Sequence, residues 1–294
     1  MNLLSTRISQ IISEGNKTWL QKTWLRIWQT RGIIACLLWP CSILFGWLVT
    51  LRRQAFLRGY LHSWRAPVPL IIIGNINVGG SGKTPTVIAL AKALHAAGFK
   101  PAVLSRGYGA HLTQPQAVTP ADGATTVGDE PLLMAKALSS CNIPVWVHPE
   151  QNKTSHLSTA KNHNAVSGQH FFIPFSLGDA WQLNHSSAQR PLSHFSTVPT
   201  GSLLAAAGIG YPEKFFIALR QQDLSFETLA LADHFSFSRN PFINSTAQFI
   251  LITEKDAVKC AHINDSRIWV VPVQALLDPI LIEQITQRLK RENG

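Results

Sequence analysis

The chain has 294 residues, with 26 Lys and Arg against 16 Asp and Glu and a net charge of +10. This length fits one to two domains with a sizeable core. The basic charge is local, because residues 1–66 hold nine basic side chains and one acid, which leaves +2 for the rest. The four cysteines lack the spacing of metal ligands, so we expect reduced thiols and no zinc site.

The N-terminal segment, residues 1–66, is predicted to associate with a membrane. Residues 32–51 carry no charge, and this length is about what a helix needs to cross a bilayer. Tryptophans, which favour the membrane interface, lie within and before this run. Basic residues flank it on both sides, so a spanning helix and one lying on the surface both stay open. Because the charge brackets an apolar run, a membrane is favoured over nucleic acid and over a buried core helix.

A glycine-rich loop is the most informative motif. Residues 69–73 predict a strand and residues 87–95 a helix. The loop between them ends in Gly79, Gly80, Ser81, Gly82, Lys83 and Thr84. In such a loop backbone N–H groups surround phosphate oxygens, Lys83 contacts the β and γ phosphates, and the Thr84 hydroxyl binds Mg²⁺. The alternative is an ordinary glycine-rich turn, but the strand, loop and helix order predicts that the chain binds a nucleoside triphosphate.

The remaining elements predict an α/β fold. Further strands are predicted at residues 101–105, 143–147, 203–207, 249–253 and 268–273. Further helices are predicted at residues 132–138, 212–221 and 276–289. This alternation predicts a P-loop NTPase-like parallel sheet flanked by helices over residues 67–150 and a smaller α/β part over residues 203–294. Residues 151–202 are polar and weakly periodic, so they predict an irregular linker.

Asp129 lies just before the predicted helix at 132–138. Aspartate is common at the N-cap of a helix, so position alone favours a capping role over a catalytic one.

Seven motifs, taken together and in order, resemble the tetraacyldisaccharide 4′-kinases of lipid A biosynthesis. They are residues 74–85, 105–109, 127–131, 207–210, 212–216, 233–234 and 253–259. The resemblance implies that the ATP γ-phosphate is transferred to the 4′-hydroxyl of an acylated glucosamine disaccharide 1-phosphate. It also implies ATP and Mg²⁺ as cofactors, the acylated disaccharide and membrane lipids as partners, and a place at the cytoplasmic face of the bacterial inner membrane. The oligomeric state is left open.

The same resemblance implies roles for individual residues. Asp129 becomes the base that receives the proton of the sugar hydroxyl, with Lys83 and His234 as further catalytic residues. Arg106 and Lys255 are expected to contact substrate or phosphate, and a structural role fits these two and His234 equally well.

One family element is missing from the sequence. The family has an apolar strand that runs into Asp-Asp-Gly with a nearby Gln-His, and residues 140–203 contain no such Walker B-like segment. Either another acid, among Asp129, Glu130 and Asp179, replaces it, or the chain is an impaired remnant that binds only nucleotide and membrane. A membrane-associated partitioning-type ATPase is less favoured, because Val78 stands where that class has a signature lysine.

Overall fold

The computed structural model describes residues 33–62, 66–74, 82–107, 112, 114–148, 171–199, 201–233 and 235–292. The chain is divided into two compact units. The first comprises residues 1–65 and 159–161, and the second comprises residues 66–158 and 162–294.

The first unit contains helix α1, Ile33–Leu57, which includes Pro40. Large apolar side chains of α1, such as Trp39, Phe45 and Trp47, are exposed. The predicted apolar helix is therefore present. Among the residues that the structure describes, no helix is both long enough and apolar enough to cross a membrane.

The second unit opens with an apolar segment that does not form the predicted strand. Residues 69–74 have no regular secondary structure, and Leu70, Ile71 and Ile72 are exposed. A strand needs a neighbour that pairs its backbone N–H and C=O groups, and no described strand pairs with these residues. The prediction of a strand at 69–73 is therefore wrong, because apolar composition alone does not supply a partner.

A small three-stranded sheet follows. Its elements are helix α2 (Lys83–Ala96), strands β1 (Val103–Ser105) and β2 (Gln116–Val118), helices α3 (Ala124–Val127) and α4 (Asp129–Leu138), a 3₁₀ turn (Ser139–Cys141) and strand β3 (Val145–Val147). The strand order is β1-β3-β2, with β1 parallel and β2 antiparallel to β3. Val103, Val145 and Val147 bury one face of this sheet against Leu132 and Leu138 of α4.

Residues 151–202 were expected to form an irregular linker. The second half of this range contains regular secondary structure. Its elements are β4 (Phe175–Leu177), β5 (Ala180–Gln182), β6 (His185–Arg190) and the short helix α5 (Ser193–Ser196). Strand β6 is polar and lies at the edge of a sheet, where both faces tolerate polar side chains. Composition therefore gave a weak signal for a strand there.

A six-stranded sheet forms the C-terminal part. The remaining elements are β7 (Leu203–Ala207), α6 (Pro212–Arg220), β8 (Glu227–Ala230), β9 (Phe249–Thr253), α7 (Glu254–Cys260), β10 (Ile268–Val271), β11 (Val273–Ala275) and α8 (Pro279–Glu292). The strand order is β6-β5-β10-β9-β7-β8, and β10, β9, β7 and β8 are parallel. In the described part of the chain this sheet, which takes β5 and β6 from residues 180–190, has six strands, whereas the sheet beside α2 has three.

The central strands of the six-stranded sheet are buried on both faces. Leu203 and Ala205 of β7 pack on one side with Phe216 of α6, whereas Leu204 and Ala206 pack on the other side. This alternation follows from the two-residue repeat of a strand. The chain is thus a mixed α/β protein with a parallel-strand sheet, as predicted.

Candidate active site

The phosphate-loop residues divide between described and undescribed parts of the chain. Gly82 has φ 77° and ψ 16°, a left-handed conformation that favours glycine, and it is the N-cap of α2. Its carbonyl oxygen accepts hydrogen bonds from the backbone N and Oγ1 of Thr86, at 3.1 and 2.8 Å. Gly79, Gly80 and Ser81 lie outside the described residues.

Helix α2 begins with the two other predicted phosphate ligands. Lys83 is exposed and Thr84 is partly buried, and both lie in the first turn. That turn holds no acidic residue. The first N–H groups of a helix have no acceptor within the helix and carry a partial positive charge. The start of α2 is therefore suited to an anion such as a nucleotide phosphate.

Asp129 is the first residue of α4 and is buried. The N-cap of this helix is Gly128, with φ 92°, and no side chain caps the helix. The expected capping role of Asp129 is therefore wrong, because the cap lies one residue earlier. Asp129 Oδ1 accepts a hydrogen bond from the backbone N of Glu130 at 3.0 Å, which orients the carboxylate at the positive end of α4.

Lys255, at the start of α7, forms ion pairs with both acids of α4. Its Nζ lies 3.2 Å from Glu130 Oε1 and 3.7 Å from Asp129 Oδ2. Burial lowers the pKa of Lys255, but attraction to Asp129 and Glu130 outweighs it, so the pKa is raised and the ammonium stays charged. The structure thus brings together two predicted site residues that lie more than a hundred positions apart in the sequence.

A second buried network fixes the start of α7. Asp256 Oδ2 accepts hydrogen bonds from Thr253 Oγ1 at 2.7 Å and from the backbone N of Gly208 at 3.0 Å. Lys259 Nζ lies 2.9 Å from Asp256 Oδ1 and 3.3 Å from the carbonyl oxygen of Gly208. The network therefore joins the carboxyl ends of β7 and β9.

Sequence reasoning missed Asp256 and Lys259 as individual residues. The signal available was the Thr253-x-x-Asp256 spacing, which is typical of a helix start, and Thr253 Oγ1 does accept from Asp256 N at 3.2 Å. The long-range partners of Asp256 could not be predicted from spacing.

The other predicted residues occupy separate positions. Arg106 follows β1 directly and is exposed. His234 lies outside the described residues, whereas its neighbour Asp233 is described and its charge helps to raise the pKa of Lys255. Lys83 and Thr84 lie on α2, which packs against α4, the helix of Asp129.

The donors for Mg²⁺ are incomplete in the described part of the chain. The Thr84 hydroxyl is an oxygen ligand of the kind that Mg²⁺ takes, but Mg²⁺ in kinases also uses one or two carboxylates. Asp129 and Glu130 already face Lys255. No group of three His, Cys, Asp or Glu that could hold a metal is found among the described residues. The residues described do not by themselves form a magnesium site.

Comparison with known proteins identifies the family. The LpxK family model, tetraacyldisaccharide-1-P 4′-kinase, matches residues 34–167 and 160–290. The tetraacyldisaccharide 4′-kinases of Janthinobacterium sp. (strain Marseille) and Herminiimonas arsenicoxydans are 38% and 37% identical, and both matches cover 92% of this chain and 96% of the relative. The fold resembles the crystal structure of the "apo" form of LpxK from Aquifex aeolicus in complex with ATP, with a TM-score of 0.63, 20% identity, and coverage of 88% of this chain and 99% of that one.

The alignment with the Janthinobacterium relative also shows how many positions of that relative have no counterpart in this chain. The Janthinobacterium alignment spans 338 positions, whereas 92% of 294 residues is about 270, so about 68 positions of the relative have no counterpart here. The family model matches in two pieces, and the pieces meet at residues 160–167. With matches that cover nearly its whole length, the chain belongs to the tetraacyldisaccharide-1-P 4′-kinase family.

Proposed function

We propose that this chain transfers the γ-phosphate of ATP to the 4′-hydroxyl of an acylated glucosamine disaccharide 1-phosphate, a step of lipid A biosynthesis at the cytoplasmic face of the inner membrane. The observation that carries the proposal is the family match over both halves, which includes the Asp129 and Lys255 motifs. The relatives are named as kinases, which favours this reaction over a remnant without activity and over a partitioning-type ATPase.

In the proposed reaction Asp129 is the base. It accepts the proton of the 4′-hydroxyl, the sugar oxygen forms a bond to the γ-phosphorus, and the bond from that phosphorus to the β,γ-bridging oxygen breaks. The electron pair of the broken bond leaves with ADP. Phosphoryl transfer depends mainly on positioning and on neutralising charge, so a buried, oriented carboxylate is a suitable base. Lys255 holds that carboxylate in place.

The phosphates are proposed to bind at the start of α2. Lys83 and the N–H groups of the first turn would neutralise the phosphate charge, and Gly79, Gly80 and Ser81 would complete the loop. Mg²⁺ bound with ATP would be held in part by the Thr84 hydroxyl and would supply further positive charge. Arg106 and His234 are proposed to contact the substrate or the transferred phosphoryl group.

The N-terminal segment is proposed to bring the enzyme to its lipid substrate. Helix α1 exposes Trp39, Phe45 and Trp47, and Arg52, Arg53 and Arg58 follow the apolar run within it or just after it. Aromatic side chains favour the interface and basic ones favour anionic lipid. Membrane lipids are therefore proposed partners, and no nucleic acid is implied.

Transfer of labelled γ-phosphate to a tetraacyl disaccharide 1-phosphate in detergent tests the proposal. We expect a labelled bis-phosphorylated lipid, and we expect Asp129→Asn to keep ATP binding and lower the turnover by at least about a hundredfold. Lys83→Ala should weaken ATP binding itself. Asp223→Asn is the matched control, because Asp223 is exposed with φ 57°, which asparagine tolerates. Unchanged turnover in Asp129→Asn would exclude the base role.

A further inference from the structure

Phe175 lies directly against the last glycine of the candidate phosphate loop. A Cβ atom built on Gly82 would overlap the tip of the Phe175 ring and would lie 2.6 and 2.8 Å from its Cε1 and Cε2 atoms. Carbon atoms in folded proteins pack at about 3.5–4.0 Å, so the ring fills the space that a side chain at position 82 would need. Both this ring and the positive φ of Gly82 restrict the position to glycine.

The backbone around Phe175 is held in place. Strand β4 pairs with β11, with Phe175 opposite Ala275, and the carbonyl oxygen of Pro174 accepts a hydrogen bond from the backbone N of Leu276 at 2.9 Å. Strand β11 in turn packs against α2. Its Val273 N donates to the Glu254 carboxylate at 3.1 Å. The ring therefore reaches Gly82 from a ribbon that is anchored to the rest of the unit.

A second phenylalanine in the same segment is far more exposed than Phe175. Phe172 is 86% exposed, whereas Phe175 is 45% exposed although it lies only three residues later. The reduced exposure of Phe175 matches its contact with Gly82. The pair offers a variant and a control of the same residue type.

We infer that Phe175 is a positioning residue for the nucleotide phosphates, an inference that rests on the proposed binding of ATP at this loop. Its ring supports Gly82 in the left-handed conformation that starts α2, and so keeps the first N–H groups of the helix directed at the phosphates. Glycine has more backbone freedom than any other residue. Restricting Gly82 before the nucleotide arrives reduces the entropy that is lost on binding, which raises the affinity. The ring acts through Gly82, and no contact between the ring and the phosphate is proposed.

Titration with a fluorescent ATP analogue in the presence of Mg²⁺ tests this role. We expect Phe175→Ala to raise Kd about tenfold, and Phe175→Leu, which retains most of the packing volume, to raise it by less than about threefold. Phe172→Ala should bind as the wild type does. With any measurable turnover, KM for ATP should rise in Phe175→Ala while KM for the lipid stays unchanged, a separation that a general loss of structure would not produce.

Two results would overturn the inference. One is a Phe175→Ala protein that binds the analogue as tightly as the wild type or more tightly, which would mean that the ring is neutral or blocks the site. The other is equal weakening by Phe172→Ala. Circular dichroism checks that each variant is folded. If the alanine variant does not fold, Phe175→Val, which suits a strand and lacks the ring atoms that reach Gly82, carries the test with the same expected rise in Kd. Absence of binding by the wild type would reject nucleotide binding at this loop altogether, whereas wild-type binding that Lys83→Ala abolishes and Phe175→Ala spares would reject only the role of Phe175.

Discussion

The two sheets of the second unit differ in how fully they are covered. In the six-stranded sheet all five residues of β7 and all four of β10 are buried. In the three-stranded sheet the described residues cover one face, where α4 packs. On its other face Leu104 and Ala117 lie opposite Trp146 in the two neighbouring strands, and all three are exposed. A sheet is stabilised by burying its apolar faces, so within the part of the chain that the structure describes the smaller sheet is the less completely covered one.

The uncovered sheet and the shortened sequence occur in the same half of the protein. Leu70, Ile71 and Ile72, which precede the phosphate loop, are exposed and unpaired with any described strand. The two pieces of the family match meet shortly after β3, the central strand of the small sheet. We expect the roughly 68 positions that the Janthinobacterium relative has in addition to include sheet neighbours that are not found among the described residues of this half. The predicted absence of the Walker B-like strand fits this expectation.

Two tryptophans make the comparison measurable with single substitutions. Trp146 is in the central strand of the small sheet and is 43% exposed, whereas Trp269 is in β10 and is 4% exposed. Trp269 also packs edge-on against Phe195 and Phe249. We expect Trp269→Ala to lower the free energy of unfolding by about 3–5 kcal/mol and Trp146→Ala by less than about 1 kcal/mol. Urea denaturation measures both, and equal losses would contradict the difference between the sheets.

Local apolar patterns predicted much of the larger sheet. Strand β9 was predicted with its observed bounds, and helix α6 within one residue, because apolar runs and a proline at the helix start are local signals. The same kind of pattern failed at residues 69–73, because a strand there would need a partner strand from a distant part of the sequence, and no described strand pairs with these residues. Apolar composition cannot tell a strand that has a neighbour from one that lacks it.

The candidate site was also predicted only in part: its local motifs were found, but its long-range contacts were not. Lys83, Thr84 and Asp129 stand in motifs that the sequence displays, although the capping role expected for Asp129 belongs to Gly128. The partners of the site come from far along the chain. Nothing in the spacing indicates that Lys255 faces Asp129, that Asp256 binds Gly208, or that Phe175 contacts Gly82, because each contact follows from the arrangement of the strands.

A smaller effect on the free energy of unfolding is expected at Glu254, which lies at the start of α7. Burial raises the pKa of the Glu254 carboxyl, although the hydrogen bond from Val273 N and the charge of Lys92 oppose this in part. A raised pKa means that the folded state binds the proton more tightly than the unfolded chain does. The ionised carboxylate therefore destabilises the fold at neutral pH, and this penalty disappears as the pH falls through the folded pKa toward the ordinary value of 4.5.

Glu254→Gln keeps an oxygen acceptor for Val273 N and removes the charge. We expect the variant to be more stable than the wild type at pH 7, because the raised pKa of the Glu254 carboxyl means that its ionised form destabilises the fold. The difference should shrink as the pH is lowered from 7 to 5, and urea denaturation at several pH values measures it. A difference that stays constant over this range would mean that the carboxyl titrates alike in the folded and unfolded states.

The most direct test of the incomplete nucleotide half is to restore what the relatives have. The positions of the Janthinobacterium kinase that lack a counterpart here would be inserted at residues 160–167, where the two pieces of the family match meet, and a Gly/Ser segment of the same length would serve as the control. The measurement is the initial rate of labelled phosphate transfer from ATP to the tetraacyl disaccharide 1-phosphate. We expect the restored protein to be at least about a hundredfold faster than the chain as it stands, with no gain from the control. The reason is that the carboxylates that the family resemblance implies for this stretch would help to hold Mg²⁺, and the charge of Mg²⁺ neutralises the transferring phosphoryl group. Equal rates for the restored and unrestored proteins would contradict the account.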